Sequence, residues 1–252
     1  MSKKIISKIS IIYTQSKSHT SRFEKLGALS ERIKCVGSVK FDIDPNTEEN
    51  SLKNTKPFIL AASTHGGEDE IIIDAYKNII NDNPGIGLVI APRHPERVFA
   101  IKKLLNKSDL NARILKEIPI DIANESIEII QGTGMLRALY SKAQFAFIGG
   151  SLFQSNGGHN IIEPAFEGCP FIVGPHMHNF QDILKLFVDE DACLQIDKNL
   201  DVLSGFKDLL NNNSLRENMS SKAFEICLKN KGSTDKQCTG IIEMINKKEV
   251  IS

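Results

Sequence analysis

The sequence predicts an α/β protein, a Rossmann-like parallel sheet with helices on both faces. Two observations lead to this prediction. Short β-rich runs alternate along most of the chain with segments of helical length and period, an order typical of parallel strands joined by helical crossovers. In addition, runs such as Ala146-Phe147-Ile148 are apolar throughout, as expected of strands that are covered by helices on both sides.

The predicted elements follow from these patterns in chain order. Seven short segments are predicted as strands: 9–13, 33–37, 58–62, 87–91, 126–130, 145–149 and 170–174. Apolar residues at helical spacing predict helices between several of them, at 68–81, 95–106, 135–143 and 160–168. From residue 179 onward the pattern is mostly helical, at 179–188, 203–211, 214–230 and 234–246, and we expect these helices to cover the sheet.

A polar stretch near residue 50 divides the chain. It contains Asp44-Pro45-Asn46-Thr47-Glu48-Glu49-Asn50 and has no strand pattern, which predicts a linker at 46–56. Residues 1–45 then belong to one unit and residues 57–252 to another. Because Met1-Ser2-Lys3-Lys4 leads almost directly into a strand-like segment, we expect a piece of a longer protein or one member of a split protein.

Composition excludes several classes of protein. The 252 residues are 41% hydrophobic and 25% charged, which is ordinary for a globular chain. Lys+Arg and Asp+Glu both number 31, so net charge gives no support to nucleic-acid binding. Five cysteines without a CxxC pair fit a reducing compartment better than a disulfide framework. The longest apolar runs fall short of the roughly 20 residues that cross a bilayer.

Small, polar and basic residues follow four of the predicted strands. In an open α/β sheet, ligands bind beyond the carboxyl ends of the strands, where helix N-termini attract anions. The segments concerned are Ser63-Thr64-His65-Gly66-Gly67-Glu68, Pro92-Arg93-His94-Pro95-Glu96-Arg97, Gly132-Thr133-Gly134-Met135, and the stretch from Gly149 to Pro164. We therefore expect a site for an anionic ligand at this edge.

Each of these segments also has a plainer interpretation. Gly66-Gly67 is more typical of a turn than of a phosphate-binding loop, and Arg93 could be a surface cation. Gly134 at a helix start offers backbone donors, but Gly-Thr-Gly also suits any tight turn. The support for a ligand site comes from the conjunction of the four segments.

Glu163 is the most informative single residue. It lies in Asn160-Ile161-Ile162-Glu163-Pro164, in the first turn of a predicted helix after a glycine-rich loop. There a carboxylate can accept hydrogen bonds from a ribose diol. The alternative is an acidic first-turn residue that only favours the helix dipole.

The histidines suggest a metal hypothesis that their spacing does not support. His65, His94, His159, His176 and His178 are spread over several loops without an HExxH motif or a Cys/His spacing. The sequence therefore predicts no metal site.

Taken together, these segments resemble the 3-deoxy-D-manno-octulosonic acid (Kdo) transferases, in particular their C-terminal half. The similar stretches occur in family order between about residues 10 and 185: Gln15-Ser16, Arg22-Phe23, Leu26-Gly27, Val36-Gly37-Ser38-Val39-Lys40-Phe41-Asp42, residues 63–68, residues 92–97, Gly149-Gly150-Ser151-Leu152, Gly157-Gly158-His159-Asn160, Glu163-Pro164-Ala165, Gly174-Pro175-His176 and Asn179-Phe180.

The resemblance implies the donor-binding half of a GT-B glycosyltransferase, in which two Rossmann-like domains face each other. Residues 1–45 would be a remnant of the N-terminal domain and 57–252 the nucleotide-sugar-binding domain. Lys40 would be catalytic by stabilising charge in the transition state. The implied substrate-binding residues are Pro92, Arg93, Thr133, Gly134, Met135, Asn160, Ile161, Ile162 and Glu163. A site of this family needs no metal and no other cofactor.

The chain departs from the family pattern at three places. Met135 stands where the family has glutamate in a Gly-Glu-Leu turn, so a side-chain role of that glutamate is lost. Ser38 stands where asparagine is usual, and Ile161-Ile162 differs from a common pair with a proline. The acceptor domain, with the family's general base and membrane-associating N-terminus, has no counterpart in this sequence.

The implied function is part of the transfer of Kdo from CMP-Kdo to lipid A precursor in lipopolysaccharide biosynthesis, with this half inactive alone. The acceptor would be held by a missing N-terminal domain or a partner chain, at the inner face of the cell inner membrane. No nucleic-acid partner is expected. The alternatives are a non-catalytic CMP-sugar-binding subunit of a split enzyme, and another GT-B enzyme acting on sugar nucleotides.

Overall fold

The computed structural model describes residues 5–43, 56–116, 126–132 and 134–249. The strands in these ranges are β1 Ile12–Thr14, β2 Ile33–Cys35, β3 Phe58–Thr64, β4 Gly87–Pro92, β5 Ala112–Leu115, β6 Ile127–Ile130, β7 Phe145–Ile148, β8 Phe171–Val173 and β9 Leu194–Gln195. The helices are α1 Lys17–Lys25, α2 Glu68–Ile80, α3 Val98–Lys107, α4 Leu136–Tyr140, α5 Ile162–Phe166, α6 Gln181–Val188, α7 Val202–Asn211, α8 Asn213–Lys229 and α9 Ser233–Glu249.

The chain forms two compact units. The smaller consists of Met1–Asp44 together with Cys227–Ser252, and the larger is Pro45–Ile226. The sequence prediction assigned residues 227–252 to the second domain, whereas in the structure they group with the N-terminal segment. The predicted linker at 46–56 lies outside the described residues except for Lys56.

The larger unit is built on a seven-stranded parallel sheet of order β5-β6-β4-β3-β7-β8-β9. Helices flank this sheet, and the predicted fold class is confirmed. Ile59 and Ala61 of β3 belong to a core cluster with Ile72 of α2. The intervening Leu60 and Ala62, which point to the opposite face of the strand, are also fully buried. Both faces of the central strand are therefore covered.

The order of the strands defines where a ligand crevice lies. The chain proceeds from β3 to β4, then to the edge strand β5 and back to β6 between β5 and β4, and β7 then pairs with the other side of β3. Connections leave β3 and β7 in opposite directions, which separates the loops that follow them and opens a crevice at the carboxyl end of the sheet. A bulge between Ala62 and Thr64 ends β3 at this point, with Ser63 at a φ of +57°.

The smaller unit contains the parallel pair β1 and β2. Asp42, which follows a short 3-10 helix at Val39–Phe41, binds the start of α9. Its carboxylate accepts hydrogen bonds from the backbone N–H groups of Gly232 at 2.5 Å and Thr234 at 2.6 Å. A negative charge near a helix N-terminus is stabilising, so Asp42 joins residues at the two ends of the chain.

The predicted elements agree with the observed ones to within a few residues, apart from three that the sequence patterns missed. These are α1 and the edge strands β5 and β9. In addition, the first predicted strand begins three residues later than expected, at Ile12. In the described part of the chain, no helix is long and apolar enough to cross a membrane.

Candidate functional site

The loops that follow β4, β3 and β7 lie side by side at the carboxyl end of the sheet, which we call the carboxyl edge. The order β6-β4-β3-β7 makes these strands direct neighbours. Arg93 follows β4, His65 follows β3, and His159 and Asn160 lie in the long segment between β7 and α5. The prediction that four separate segments contribute to one edge of the sheet agrees with this topology.

A buried carboxylate, that of Glu68, ties two of these loops together. Its Oε2 atom accepts the backbone N–H groups of His65 at 2.9 Å and Gly150 at 2.7 Å. Its Oε1 atom accepts those of Ser151 at 2.9 Å and Leu152 at 3.0 Å. The side chain is fully buried. One carboxylate therefore holds the loop after β7 against the start of α2.

Those four hydrogen bonds also decide what the glycine-rich loops can bind. The N–H groups of Gly150, Ser151 and Leu152 all point at Glu68, so they are not available to an external anion. The N–H group of Gly67 donates to Glu70 at 3.1 Å. Gly67 therefore acts in the turn that starts α2, and side chains must supply the donors for an anionic ligand at these positions.

The close approach of the loops after β3 and β7 requires glycine at position 149. A Cβ atom built there would lie 2.5 Å from the carbonyl oxygen of Ser63 and 2.6 Å from the Cα of Thr64. The N–H group of Gly149 donates to Ala62 at 2.7 Å. The fully buried Ser151 continues the connection, since its Oγ accepts the N–H group of Gly174 at 2.9 Å.

Two histidines that are far apart in sequence meet at the carboxyl edge. The Nε2 atoms of His65 and His159 are 2.8 Å apart, and the rings are nearly parallel, with centroids 5.0 Å apart and an interplanar angle of 6°. His94 meets His65 edge-on, with centroids 5.6 Å apart. Gly150, at a φ of +68°, leaves the space for the His159 ring, because a Cβ there would lie 2.8 Å from its Cδ2 atom.

The surroundings keep both imidazoles neutral near pH 7. Burial, together with the nearby His65, Arg93 and His94, lowers the pKa of His159 to about 4. Burial also lowers the pKa of His65; the nearby Glu68 opposes this decrease, and His94, Arg97 and Arg93 add to it. Desolvation and positive neighbours both disfavour the charged form of an imidazole.

Arg97 fixes the loop after β4 to the end of β3. Its Nη1 atom donates to the carbonyl oxygen of Thr64 at 3.0 Å, and its Nη2 atom forms an ion pair with the fully buried Asp69. The backbone N–H group of Arg93 donates to the same carbonyl oxygen at 3.0 Å. The Arg93 side chain itself is exposed, so it is accessible to a ligand.

Asn160 and Glu163 form one hydrogen-bonded turn at the start of α5. The Asn160 Nδ2 atom donates to Glu163 Oε1 at 3.0 Å, and its Oδ1 atom accepts the N–H group of Ile162 at 3.0 Å. Burial and the negative charge of Glu163 raise the pKa of Tyr140 in α4, which brings α4 close to this turn. Asn160 therefore positions Glu163 through its side chain.

Three of the predicted substrate-binding residues are buried, so their side chains are not accessible for direct contact with a ligand. Ile161 and Ile162 are fully buried, so their side chains pack in the core and any contact with a ligand is left to their backbone. Pro92 ends β4 and is also buried. Thr133 lies outside the described residues, whereas Gly134 is exposed and Met135 precedes α4.

Lys40, the predicted catalytic residue, belongs to the smaller unit. It is exposed and lines an open pocket of about 330 Å³. The lining residues are Tyr13, Thr14, Gln15, His19, Phe23, Gly37, Ser38, Val39, Lys40 and Gln237. None of them is acidic, so the pocket suits an anionic group.

Within the described ranges, no three His, Cys, Asp or Glu side chains group closely enough to hold a metal ion. Sequence reasoning did not identify the bond between His65 and His159 or the central position of Glu68. Both depend on contacts between residues that are more than 80 positions apart. The only sequence signal for either was that all three residues follow predicted strands.

Comparison with known proteins gives a consistent result. A family profile described as 3-deoxy-D-manno-octulosonic-acid transferase matches residues 1–43. A 3-deoxy-D-manno-octulosonic acid transferase of Haemophilus influenzae is 32% identical over 238 residues, which are 90% of this chain and 55% of that protein. One from Rickettsia felis is 32% identical over 84% of this chain and 46% of that protein. The chain thus spans about half the length of these relatives.

Solved structures agree with the sequence relatives. The C-terminal CMP-Kdo binding domain of WaaA from Acinetobacter baumannii is 28% identical with a TM-score of 0.60, covering 71% of this chain and 90% of that one. TarM of S. aureus, with 13% identity and a TM-score of 0.58, shares the fold. From its sequence relatives and its fold together, the chain is similar to the Kdo transferases over about half of their length, and its fold is that of the donor-binding half of a GT-B glycosyltransferase.

Proposed function

We propose that this chain supplies the donor site of an enzyme that transfers Kdo from CMP-Kdo to lipid A precursor. The observation that carries the proposal is the clustering of Arg93, His65 and the Asn160 to Glu163 turn at the carboxyl edge. This clustering occurs in a chain that is similar to a CMP-Kdo binding domain over most of that domain's length.

In this proposal, most of the predicted residues at the carboxyl edge have a physical role. Arg93 is an exposed cation beside the ligand crevice and pairs with the CMP phosphate. Glu163, held by Asn160, accepts hydrogen bonds from the ribose diol. Gly134 and Met135 offer backbone donors at the start of α4, and the backbone of Ile161 and Ile162 borders the nucleotide.

The chemistry proposed is an inverting transfer. A hydroxyl of the lipid A precursor attacks the anomeric carbon of Kdo, its proton passes to a general base, and the bond to the CMP phosphate breaks. Lys40 stabilises the negative charge that develops on the leaving phosphate or lies on the sugar carboxylate. The acceptor and the general base are provided by an acceptor-binding domain or a partner chain, and the complete enzyme acts at the inner face of the inner membrane.

Calorimetry with nucleotides tests the donor assignment. We expect the purified chain to bind CMP more tightly than UMP, because the matched loops resemble those of a family that uses a cytidine nucleotide. Equal or tighter binding of UMP would favour another GT-B sugar-nucleotide enzyme. Transfer activity is a separate test, and we expect none from this chain alone, since proximity requires donor and acceptor to be held together.

A further inference from the structure

The bond between His65 and His159 constrains the protons of the two rings. At an Nε2 to Nε2 distance of 2.8 Å, one nitrogen must carry a proton and the other must accept it. If neither Nε2 atom carried a proton, their lone pairs would repel each other, and if both did, the two hydrogen atoms would clash. The pair therefore holds one shared proton and has an unused capacity for a second.

The charged groups around the pair are mostly positive. Those that act on it are Arg93 and His94 from the loop after β4, Arg97 from the same loop, and Glu68 from α2. The Glu68 carboxylate is surrounded by four backbone N–H groups, and Arg97 already pairs with Asp69. The environment that the pair presents to the crevice is thus cationic.

Four backbone N–H groups of these loops are already engaged within the protein. The N–H groups of Gly150, Ser151 and Leu152 are bonded to Glu68, and that of Gly67 is bonded to Glu70. The two imidazoles at the ends of β3 and β7, with Arg93 beside them, are side chains that can donate to an anion there. A phosphate is the anion that matches a cation flanked by two imidazole donors.

We propose that His65 and His159 bind the phosphate of the nucleotide, and that the pair takes up one proton from solvent as the phosphate binds. The proposal rests on the donor function above for the identity of the nucleotide. In the ligand-free pair, one Nε2–H bonds to the other Nε2. When a phosphate enters, that bond breaks, the second Nε2 gains a proton, and both rings donate to phosphate oxygens. Because the anion stabilises an imidazolium, uptake of the proton becomes favourable.

Calorimetry at pH 7.5 in two buffers of different ionisation enthalpy measures this proton directly. For CMP we expect an uptake of about one proton, and an affinity that rises up to about tenfold per unit as the pH falls toward 6. Cytidine, which has no phosphate, should bind without proton uptake.

Variants separate the pair from its surroundings. His159→Gln and His65→Gln should lose the proton uptake and weaken CMP by roughly tenfold or more, with cytidine unaffected. His178→Gln, the same substitution at an exposed histidine, should behave like the unmodified chain. Imidazole NMR of the unmodified chain gives a measurement that does not depend on variant folding. There, the pKa of His159 should rise from about 4 when CMP is added.

UMP and inorganic pyrophosphate distinguish failure of this inference from failure of the donor assignment. If CMP binds without proton uptake, the proton-coupled step is wrong, because two neutral Nε2–H tautomers could donate to the phosphate without a proton from solvent. If the histidine variants bind CMP like the unmodified chain, the phosphate role of the pair is wrong. In either case the donor assignment stands. If UMP or pyrophosphate binds with proton uptake and CMP does not bind, the phosphate role of the histidine pair is supported and the donor is not a cytidine nucleotide. If none of the three binds, both proposals are wrong.

Discussion

The substitution Glu68→Gln tests whether one buried carboxylate holds the carboxyl edge together. It keeps the shape of the side chain but replaces one of two accepting oxygens with an NH₂ group. Of the four backbone N–H groups that now point at Glu68, two would then face a donor. The side chain is fully buried, so bulk solvent does not reach these N–H groups.

The expected loss follows from the number of unsatisfied donors. A buried donor left without an acceptor costs about 1–3 kcal/mol, so two cost about 2–6 kcal/mol of the free energy of unfolding. The total stability of a domain is about 5–15 kcal/mol. We therefore expect a large fraction of it to be lost, and CMP affinity to fall as the loop after β7 moves.

Urea unfolding followed by far-ultraviolet circular dichroism measures the effect. Glu70→Gln is the matched control, because Glu70 is exposed and accepts one N–H group, from Gly67 at 3.1 Å, that a glutamine oxygen can also accept. It should change the free energy of unfolding by less than about 0.5 kcal/mol. If Glu68→Gln is as mild as this control, the carboxylate is not what joins the two loops.

Four further substitutions have expected outcomes. Arg93→Ala or Glu163→Ala should weaken CMP by roughly tenfold or more in calorimetry, since a hydrogen bond to a charged group contributes about 1.5–3 kcal/mol; unchanged affinity would remove either residue from the site. Lys40→Ala, assayed with an acceptor half present, should lower the catalytic rate by roughly 10²-fold with CMP affinity retained; intact turnover would make Lys40 a surface residue. Hydrogen bonds from Thr234, Gly232 and Ser233 outweigh burial and lower the pKa of Asp42 below 3.8, so its contribution to stability is present above pH 3.8 and is lost as the pH falls through the folded-state pKa. Asp42→Asn should therefore flatten the acid limb of a stability-against-pH curve, and an unaltered limb would contradict the helix-capping role.

The sheet could be predicted from the sequence because its central strands are apolar runs with no competing pattern. All residues of β4 and β7 are buried, so hydrophobicity alone identifies them. The missed elements lack this signal. Helix α1 has no buried residue, so its sequence shows no apolar stripe. Strand β9 has only two residues, which are too few to show the alternation of a strand.

The position of the candidate site could be predicted from the sequence, but the contacts between its residues could not. Strand ends indicated which loops matter, because the carboxyl ends of parallel strands meet at one edge. Three of the backbone N–H groups that donate to Glu68 lie 82 to 84 positions away, and His65 meets His159 across 94 positions. Such contacts depend on the register of β3 against β7, which local patterns do not encode.

Asp42 and the start of α9 are about 190 positions apart, and this separation determines the order in which the chain can fold. The larger unit is continuous in sequence, so it can form as soon as residue 226 has left the ribosome. The smaller unit must wait for α9, because Asp42 has no helix start to bind until residues 232–234 are made. A nascent chain stalled before residue 232 would therefore contain the complete larger unit, with Asp42 still without its partners at the start of α9.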